Sequence, residues 1–394
     1  MSIYLDHAAT TPLRPDVLEA MLPYLTEAFG NPSSSHSFGR RARAGLDEAH
    51  ETIARRLNAE AREIVLTSGG TEALNLGLKG AAWAGKARGH RIVTSSVEHH
   101  AVGHTLKHLE KFGFEIVELP VDRYGRVDPD DVDAAITDRT ILVSIMLANN
   151  EVGTIQPIAE IGRRVHAHRG VLFAVDAVQA APYLAIDVDA LGVDLLAIAS
   201  HKFEGPKGVG ALYLRHGTHI LAQQQGGTQE RHRRGGTENV AGAVGMATAF
   251  DRAAVERGET VKRLRRLRER LQKAVLAVDG TELTGHPTDR LPGHLSLIAR
   301  DTDGTAVTVS LDLNGVAASV GSACTTGSTE VSHVLAAMGY PEEEARGALR
   351  LTLGRTTTEA EIDEAARIVP SVVASMKIGS AAVAADPLGQ GVAV

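Results

Sequence analysis

The stretch Leu195-Leu-Ala-Ile-Ala-Ser-His-Lys202 is an apolar run that ends in a hydroxyl, an imidazole and an amine. An earlier stretch, Leu172-Phe-Ala-Val-Asp176, has the same form and ends in a carboxylate. Along the chain, short apolar runs alternate with longer amphipathic stretches, a pattern typical of a mostly parallel sheet with helices on both faces. The sequence therefore predicts an α/β fold in which polar residues at the strand ends share one edge of the sheet.

The apolar runs predict a seven-stranded sheet. Its candidate strands are residues 63–67, 91–95, 115–119, 140–146, 172–176, 195–199 and 210–214. In sheets of this kind the ligand binds at the carboxyl ends of the strands. We therefore expect the functional groups at residues 68–71, 98–100, 149–151, 176–179 and 200–202.

The sequence pattern changes beyond about residue 255. Residues 261–275 carry leucines at three- and four-residue spacing among charged residues, which predicts one long surface helix. We expect a large domain at residues 15–257, and a smaller α+β domain formed by residues 1–14 and 258–394 whose tail is loosely ordered over residues 378–394. Its predicted strands lie near residues 282–284, 294–298 and 349–353, and its helices at residues 328–338 and 359–376.

Composition excludes several classes of function. The chain has 394 residues, 43% of them hydrophobic, and a formal net charge of −7. This charge argues against a dedicated nucleic-acid-binding protein, which needs a basic surface. We see neither a secretory signal nor an apolar run long enough to span a bilayer, and the single cysteine cannot form an internal disulfide. We expect a cytoplasmic protein that binds neither membranes nor nucleic acid directly.

The groups predicted at the sheet edge form a combination with a specific chemistry. The segment Ser68-Gly-Gly-Thr-Glu72 follows an apolar strand and opens a helix, so that its backbone N–H groups and the Thr71 hydroxyl would face an anion. Lys202 adds a primary amine and Asp176 a carboxylate. An amine, an acid and a phosphate cradle are what a pyridoxal phosphate (PLP) site requires. The lysine forms a Schiff base, and the aspartate keeps the ring nitrogen protonated.

Several short segments occur in one order along the chain, and together they carry a resemblance to a known family. They include Tyr4-Leu-Asp-His-Ala-Ala-Thr-Thr-Pro12, Gly30-Asn-Pro-Ser-Ser34, Thr67-Ser-Gly-Gly-Thr-Glu72, Asn149-Asn-Glu-Val-Gly153, Ser322-Ala-Cys-Thr325 and Leu349-Arg-Leu-Thr-Leu-Gly354. Over about residues 4 to 365 the chain resembles the cysteine desulfurases of the aminotransferase class V group. The resemblance implies the type I fold of PLP-dependent transferases. The long segment after the cysteine is similar to the branch with an extended cysteine loop.

The resemblance also implies how the cofactor would be held. Lys202 would form the covalent link, Asp176 would pair with the ring nitrogen, and Gln179 would donate to the ring hydroxyl. His99 would stack on the ring and move protons near neutral pH. The phosphate would be bound by Gly70, Thr71, Ser200 and His201, with Thr237 reaching in from the partner subunit of a homodimer.

For the substrate, the resemblance implies that Asn150 and Arg350 hold the carboxylate of L-cysteine, since a guanidinium binds a carboxylate with two hydrogen bonds. The Cys324 thiolate would then take the sulfur, leaving alanine and a persulfide for transfer to an acceptor protein. Asn149 competes with Asn150 for its role. Cys324 lies between Gly321 and Gly327, which predicts a flexible loop.

Other interpretations remain open at this stage. The chain could be a PLP-dependent aminotransferase or a lyase similar to selenocysteine lyases, without an obligatory persulfide, or a scaffold without catalysis. His100, His104 and His108 share one face of a predicted helix, but no further ligand completes a metal site, and we expect no metal. Glu204 is unusual for the family, and a carboxylate there is expected to raise the pKa of the Schiff base. Thr228 departs from a usual glycine run.

Overall fold

The large sheet has seven strands. The computed structural model describes residues 2–321 and 331–377, and within them the sheet has the order β2-β8-β7-β6-β5-β3-β4. Every strand except β8 is parallel to the others, because β8 is antiparallel to both of its neighbours. The prediction of a mostly parallel seven-stranded sheet is therefore confirmed. Its strands are β2 (Ile64–Thr67), β3 (Arg91–Ser95), β4 (Glu115–Leu119), β5 (Thr140–Ser144), β6 (Leu172–Asp176), β7 (Leu195–Ala199) and β8 (Gly210–Leu214).

Five of the seven strands have the predicted bounds, and two are shorter. The predicted strand 63–67 begins one residue later, because a 3-10 turn (Ala61–Glu63) precedes it. The predicted strand 140–146 ends at Ser144, and the chain continues beyond it as buried loop. The reversed strand β8 matters for the site, since its first residue, Gly210, pairs with Ala199 and Thr67 at the carboxyl ends of β7 and β2.

Helices cover the sheet and bury its two faces. They are α1 (Pro15–Thr26), α2 (Ser37–Leu57), α3 (Gly70–Gly85), α4 (His100–Glu110), α5 (Pro129–Ala135), α6 (Ile158–Ala167), α7 (Val188–Leu191), the short α8 (Gln229–His232) and α9 (Val240–Val275). One apolar cluster joins α2 and the first part of α9 to the sheet, and a second joins α3 and α4 to it. These two clusters fix the sheet edge at which the predicted site residues lie.

The helix α9 is much longer than predicted. The leucine spacing predicted a helix over residues 261–275, but the helix begins at Val240 and has 36 residues. Its first part is rich in alanine and glycine and packs into the core of the large sheet, where no amphipathic period is needed. Its second part, with Leu264, Leu267 and Leu271, packs in a separate cluster with the smaller sheet.

The smaller unit is built on two short sheets. An antiparallel sheet has the order β12-β10-β9, and a parallel pair joins β1 to β11. The chain start therefore belongs to this unit through β1. The elements are β1 (Ile3–Tyr4), β9 (Thr281–Leu283), β10 (His294–Ala299), α10 (Gly304–Leu313), β11 (Val316–Ala317), α11 (His333–Ala337), α12 (Glu342–Ala345), β12 (Ala348–Thr352) and α13 (Glu359–Ser375).

Some predictions for the smaller unit need correction. The helix predicted at residues 328–338 begins only at His333, because the Ser332 side chain caps it by accepting from Leu335 N. Cys324 and the tail over residues 378–394 lie outside the described residues. In the part of the chain that is described, no helix is both long enough and apolar enough to cross a membrane.

Candidate active site

A cavity of about 360 Å³ opens at the carboxyl edge of the large sheet. It is enclosed by strand-end loops of the sheet, by the chain start and by β12 of the smaller unit. Nine of the residues predicted for the site line this cavity. They are Gly70, Thr71, His99, Asn150, Asp176, Gln179, His201, Lys202 and Arg350.

Lys202 closes a 3-10 turn (Ser200–Lys202) that directly follows β7. Its Nζ donates to the carbonyl oxygens of Ala8, at 2.5 Å, and of Ala9, at 2.9 Å. Gln179 also points to this segment, since its Nε2 donates to Ala8 O at 2.9 Å. The chain start therefore forms one wall of the cavity and holds the lysine amine within it.

Asp176 ends β6 and is buried, with 5% of its surface exposed. Its Oδ1 accepts from Val178 N at 2.9 Å. Burial raises the pKa of Asp176 to about 6, although the Val178 hydrogen bond and the Lys202 charge act in the opposite direction. A buried carboxylate of this kind is stabilised by a cation placed against it. The protonated ring nitrogen of PLP is such a cation, so Asp176 fits the cofactor.

The start of α3 forms the expected anion cradle. Gly69 precedes it with φ 153°, a conformation that favours glycine, and the first-turn N–H groups of Gly70 and Thr71 follow. Ser200 is fully buried beside this edge, and its Oγ has no hydrogen-bond partner among the described residues. A buried hydroxyl without a partner is costly, and a phosphate oxygen would satisfy it. The cradle therefore fits the cofactor phosphate.

His99 is held as a neutral imidazole with a defined tautomer. It caps α4, where its Nδ1 accepts from Ala101 N at 3.1 Å. Burial lowers its pKa to about 4, and the positive charge of Lys202 contributes in the same direction. Because Nδ1 is an acceptor in this arrangement, the proton of the neutral ring lies on Nε2.

Arg350 lies on β12 and brings a guanidinium from the smaller unit into the cavity. Its Nη2 pairs with Asp6 Oδ1 at 2.9 Å, and its Nη1 donates to Asn150 O at 2.9 Å and to Gly321 O at 3.0 Å. The residue is 2% exposed, and its Nε has no partner in the described part of the chain. A buried cation with unused hydrogen-bonding capacity is suited to binding a carboxylate.

Comparison with known proteins identifies the family. The model of the class-V aminotransferases matches residues 3–365. A curated relative from Methanosarcina thermophila, "Cysteine desulfurase IscS", is 48% identical over 95% of this chain and 93% of its own length. The chain belongs to the cysteine desulfurase family. Its enzymes depend on PLP, in agreement with the fit of the cavity.

Solved structures of desulfurase-like proteins have the same fold. A "NIFS-LIKE PROTEIN" matches with a TM-score of 0.90 and 36% identity, covering 95% of this chain and all of that one. A second structure, "SspA in complex with cysteine", matches with a TM-score of 0.79 and 32% identity over 91% of this chain and all of that one. The predicted fold of a PLP-dependent transferase is therefore confirmed.

Two residues that were predicted to bind the cofactor phosphate do not line the main cavity. Ser200 lies behind it, and Gly205 packs so closely that a Cβ at that glycine would lie 2.1 Å from Ser200 Oγ. Thr237 lines a separate pocket of about 200 Å³ together with Ser68, Arg234 and Gly236. Within its own chain Thr237 is therefore not brought into the main cavity, and its role remains a prediction about a partner subunit.

Sequence reasoning assigned no role to several residues that help to form the desulfurase cavity. Asp6, Ala8 and Ala9 lie in a quoted segment, but nothing in the sequence showed that their atoms would meet Lys202 and Arg350. His333 lines the cavity and contacts Glu98 O through Nε2 at 2.9 Å. The position of Glu98, next to His99 at a strand end, was a usable signal for this contact, and His333 lies in the segment Ser332-His-Val-Leu335, which is also similar to the family.

Glu204, predicted to act on the lysine, forms ion pairs with two arginines. Its Oε2 accepts from Arg355 Nε at 2.5 Å and lies 3.9 Å from Arg14 Nη1. Two guanidinium groups therefore balance the charge of this carboxylate, and its effect on the pKa at Lys202 stays a prediction. Glu204 instead links the large sheet to the loop that follows β12.

The histidines of α4 form a stack. The rings of His100 and His104 lie 5.0 Å apart, and His100 also lies 4.8 Å from His333, whereas His108 contacts Phe112. In the described ranges, no group of three or more histidine, cysteine, aspartate or glutamate side chains is arranged to hold a metal ion.

Proposed function

We propose that the chain converts L-cysteine to L-alanine and takes up the sulfur as a persulfide on Cys324. The observation that carries this proposal is the cavity in which the Lys202 amine, the buried Asp176 carboxylate, the neutral His99 ring and the Arg350 guanidinium meet. PLP, when bound, supplies an electron sink that weakens the bonds at the substrate α-carbon. The solved relative in complex with cysteine supports this amino acid as substrate.

Lys202 binds the cofactor covalently in this proposal and carries a proton on Nζ after substrate has replaced it. Its placement supports both tasks, because the carbonyl oxygens of Ala8 and Ala9 accept hydrogen bonds from Nζ and can orient the amine. Asp176 balances the charge of the ring nitrogen, and Gln179 lies beside it at the same edge. His99 presents Nε2–H at the cavity and can exchange that proton with a reacting group.

Arg350 and Asn150 bind the substrate carboxylate. Arg350 enters from the smaller unit, whereas Asn150 follows β5 of the large sheet, so a bound amino acid would contact both. The guanidinium uses Nη1 and Nη2 for contacts within the protein but leaves Nε without a partner among the described residues. That unused donor supports a substrate role beyond the ion pair with Asp6.

Cys324 lies outside the described residues, and the contacts of the flanking residues support its assignment. Gly321 O accepts from Arg350 Nη1, and Ser332 Oγ donates to Glu151 Oε2 at 2.5 Å. Glu151 and Arg350 both line the cavity. The two ends of the segment that carries the thiol therefore start from the cavity wall.

The sulfur step is balanced without a further reactant. The Cys324 thiolate attacks the substrate sulfur, an S–S bond forms, and the bond between that sulfur and the substrate β-carbon breaks. The electron pair of the broken bond remains on carbon, which takes up a proton and leaves as alanine. The substrate sulfur is oxidised to the sulfane level while the carbon is reduced.

We also propose that the chain acts as a homodimer in the cytoplasm and passes the sulfur to an acceptor protein. Two features support a dimer. Thr237 lies outside the main cavity of its own chain, and α1 exposes an apolar face that includes Leu18, Leu22 and Leu25. Exposed apolar faces of this kind are typical of interaction surfaces.

We propose that the chain has two domains. The large domain would be residues 15–257, and the small domain would combine residues 1–14 with residues 258–394, so that the boundary falls within α9.

Mass spectrometry of the holoenzyme after incubation with L-cysteine tests the proposed function. Since the chain has one cysteine, a covalently added sulfur atom must reside on Cys324. We expect the mass of the wild-type protein to increase by one sulfur atom. Protein treated beforehand with iodoacetamide and the variant Cys324→Ala should show no such increase, and the variant should also lose alanine production. Full alanine production by Cys324→Ala would instead favour a lyase without a persulfide, and transfer of the amino group to a keto acid would favour an aminotransferase.

A further inference from the structure

A buried contact between a histidine and a carboxylate, outside the cavity, joins α2 to the segment that carries Thr237. His50 Nε2 lies 3.1 Å from Glu230 Oε2, and the side chains are 6% and 3% exposed. The same Oε2 accepts from Leu66 N at 3.0 Å. This pair therefore joins α2, β2 and the segment 228–237, and the reaction proposed above does not use it.

The geometry of the His50 ring indicates an imidazolium. Its Nδ1 lies 2.9 Å from Leu46 O, and its Nε2 faces the Glu230 carboxylate. A carbonyl oxygen only accepts, so Nδ1 donates to Leu46 O, and Nε2 donates as well when the Glu230 carboxylate is ionised. The contact is therefore a buried ion pair with charge-assisted hydrogen bonds.

The segment that this pair anchors has an unfavourable backbone. Glu230, Arg231 and His232 have φ values of 45°, 57° and 64°, in the left-handed region that residues with a side chain rarely adopt. Each such residue costs on the order of 1 kcal/mol, and three in succession require strong contacts to hold them. The Glu230 carboxylate supplies two of these contacts, to His50 and to Leu66 N.

The same segment is connected to the phosphate cradle. Arg234 pairs with Glu72 at 2.9 Å, and Glu72 Oε2 accepts from Ser68 N at 2.7 Å at the start of the cradle. Thr237 follows, beside Ser68 in the separate pocket. A displacement of the segment would therefore disturb the cradle of its own chain and move Thr237.

We propose that the ion pair of His50 with Glu230 is a positioning device that holds the segment 228–237 in its strained conformation and thereby sets how tightly the enzyme retains its cofactor. The effect through Thr237 rests on the proposed function, in which this residue reaches the cofactor of a partner subunit. The effect through Arg234 and Glu72 acts within one chain.

A histidine in this position makes the device sensitive to pH. Burial acts to lower the pKa of His50, but the Glu230 carboxylate and Leu46 O outweigh it, and the pKa lies above the ordinary value of 6.5. The positive charge of Arg231 acts to lower the pKa of His50. Arg43 and Arg233 interact electrostatically with the Glu230 carboxylate. The stabilisation is thus fully present below the unfolded pKa and is lost as pH rises through the folded one.

Hydrogen exchange of the holoenzyme tests the anchor directly. After correction for intrinsic rates, we expect exchange in the peptide spanning residues 224–239 to rise by about tenfold between about pH 6 and about pH 9. Glu230→Gln removes the ion pair, and its exchange should be fast at both pH values. His50→Arg keeps a permanent cation, and its exchange should be slow at both. His168→Gln is the matched control, because His168 also pairs with a carboxylate, Asp133, but at the surface.

Cofactor release into cofactor-free buffer, followed by absorbance, is the second readout. Release should accelerate with pH in the wild type and be fast and independent of pH in Glu230→Gln. Equal hydrogen exchange in wild type and Glu230→Gln would contradict the proposal that the ion pair holds the segment 228–237. Altered exchange without altered release would overturn its effect on the cofactor. If Thr237→Ala leaves release unchanged, the partner-subunit role fails, while the exchange data still test the anchor.

Discussion

The buried Arg350 and the partly exposed Asp6 form an ion pair, with 2.9 Å between Nη2 and Oδ1, although 344 residues separate them in the sequence. The pair orients a guanidinium that would otherwise be a solitary buried charge, and Nε has no partner among the described residues. A substrate carboxylate therefore meets an arginine whose orientation is already fixed, which reduces the entropy cost of binding.

Arg350→Lys should weaken cysteine binding. A lysine carries the charge but lacks the fork of donors that serves Asp6, Asn150 and the substrate together. We expect KM for L-cysteine to rise by about 10- to 100-fold with a smaller change in kcat. Steady-state alanine production measures both constants. Arg367→Lys, at an exposed ion pair with Glu364, is the control and should leave KM unchanged. An unaltered KM in Arg350→Lys would exclude the carboxylate role.

Asp176→Asn should stabilise the cofactor-free protein and lower the activity of the holoenzyme. Burial raises the pKa of Asp176 to about 6, so the cofactor-free protein carries a destabilising buried carboxylate at pH 7. The amide should increase the free energy of unfolding of the cofactor-free protein by about 1–3 kcal/mol. In the holoenzyme it should lower kcat by about 100-fold or more, because the ring nitrogen loses its counter-charge. Urea unfolding and steady-state kinetics measure the two effects, and a destabilised cofactor-free variant would contradict the argument.

Glu98→Gln should remove a pH dependence of stability. Burial raises the pKa of Glu98 to about 8, although its Oε1 accepts from Ser95 Oγ and Met146 N. The folded state therefore binds a proton more tightly than the unfolded state. Stability from this group falls as pH rises from the ordinary carboxyl range through about 8.

We expect the glutamine variant to be more stable than the wild type at pH 9 by on the order of 2 kcal/mol, and the two to converge near pH 4. Calorimetry across this range checks the difference. Parallel stability curves for the two proteins would show that Glu98 does not titrate in this way.

Gly205→Ala should damage the phosphate cradle. The new Cβ would lie 2.1 Å from Ser200 Oγ, so the hydroxyl would have to leave its position. We expect cofactor affinity to fall by about tenfold or more, measured by equilibrium dialysis. Gly258→Ala is the matched control in α9, where a Cβ meets nothing within 4 Å. That variant should retain affinity and gain about 0.5–1 kcal/mol of stability.

Much of the large sheet and its site could be predicted because each signal was local. Asp176 and Lys202 stand directly after apolar runs, and the parallel sheet brings the ends of such runs together. The start of α9 could not be predicted, because residues packed in the core on several sides show no amphipathic period. The contacts of Lys202 with Ala8 and of Arg350 with Asp6 also escaped prediction, since they join positions separated by 194 and 344 residues.

The pairing of the chain start has a consequence for biosynthesis. Leu5 N donates to Ala317 O, and Thr352 N donates to Leu5 O, so this segment gains these partners only after residues 317 and 352 have been synthesised. Until then Ala8 N lacks its hydrogen bond to Thr352 Oγ1, and Arg350 is absent from the cavity wall. We therefore expect a nascent large domain to bind PLP more weakly than the whole chain, since its cavity lacks the wall that the smaller unit supplies.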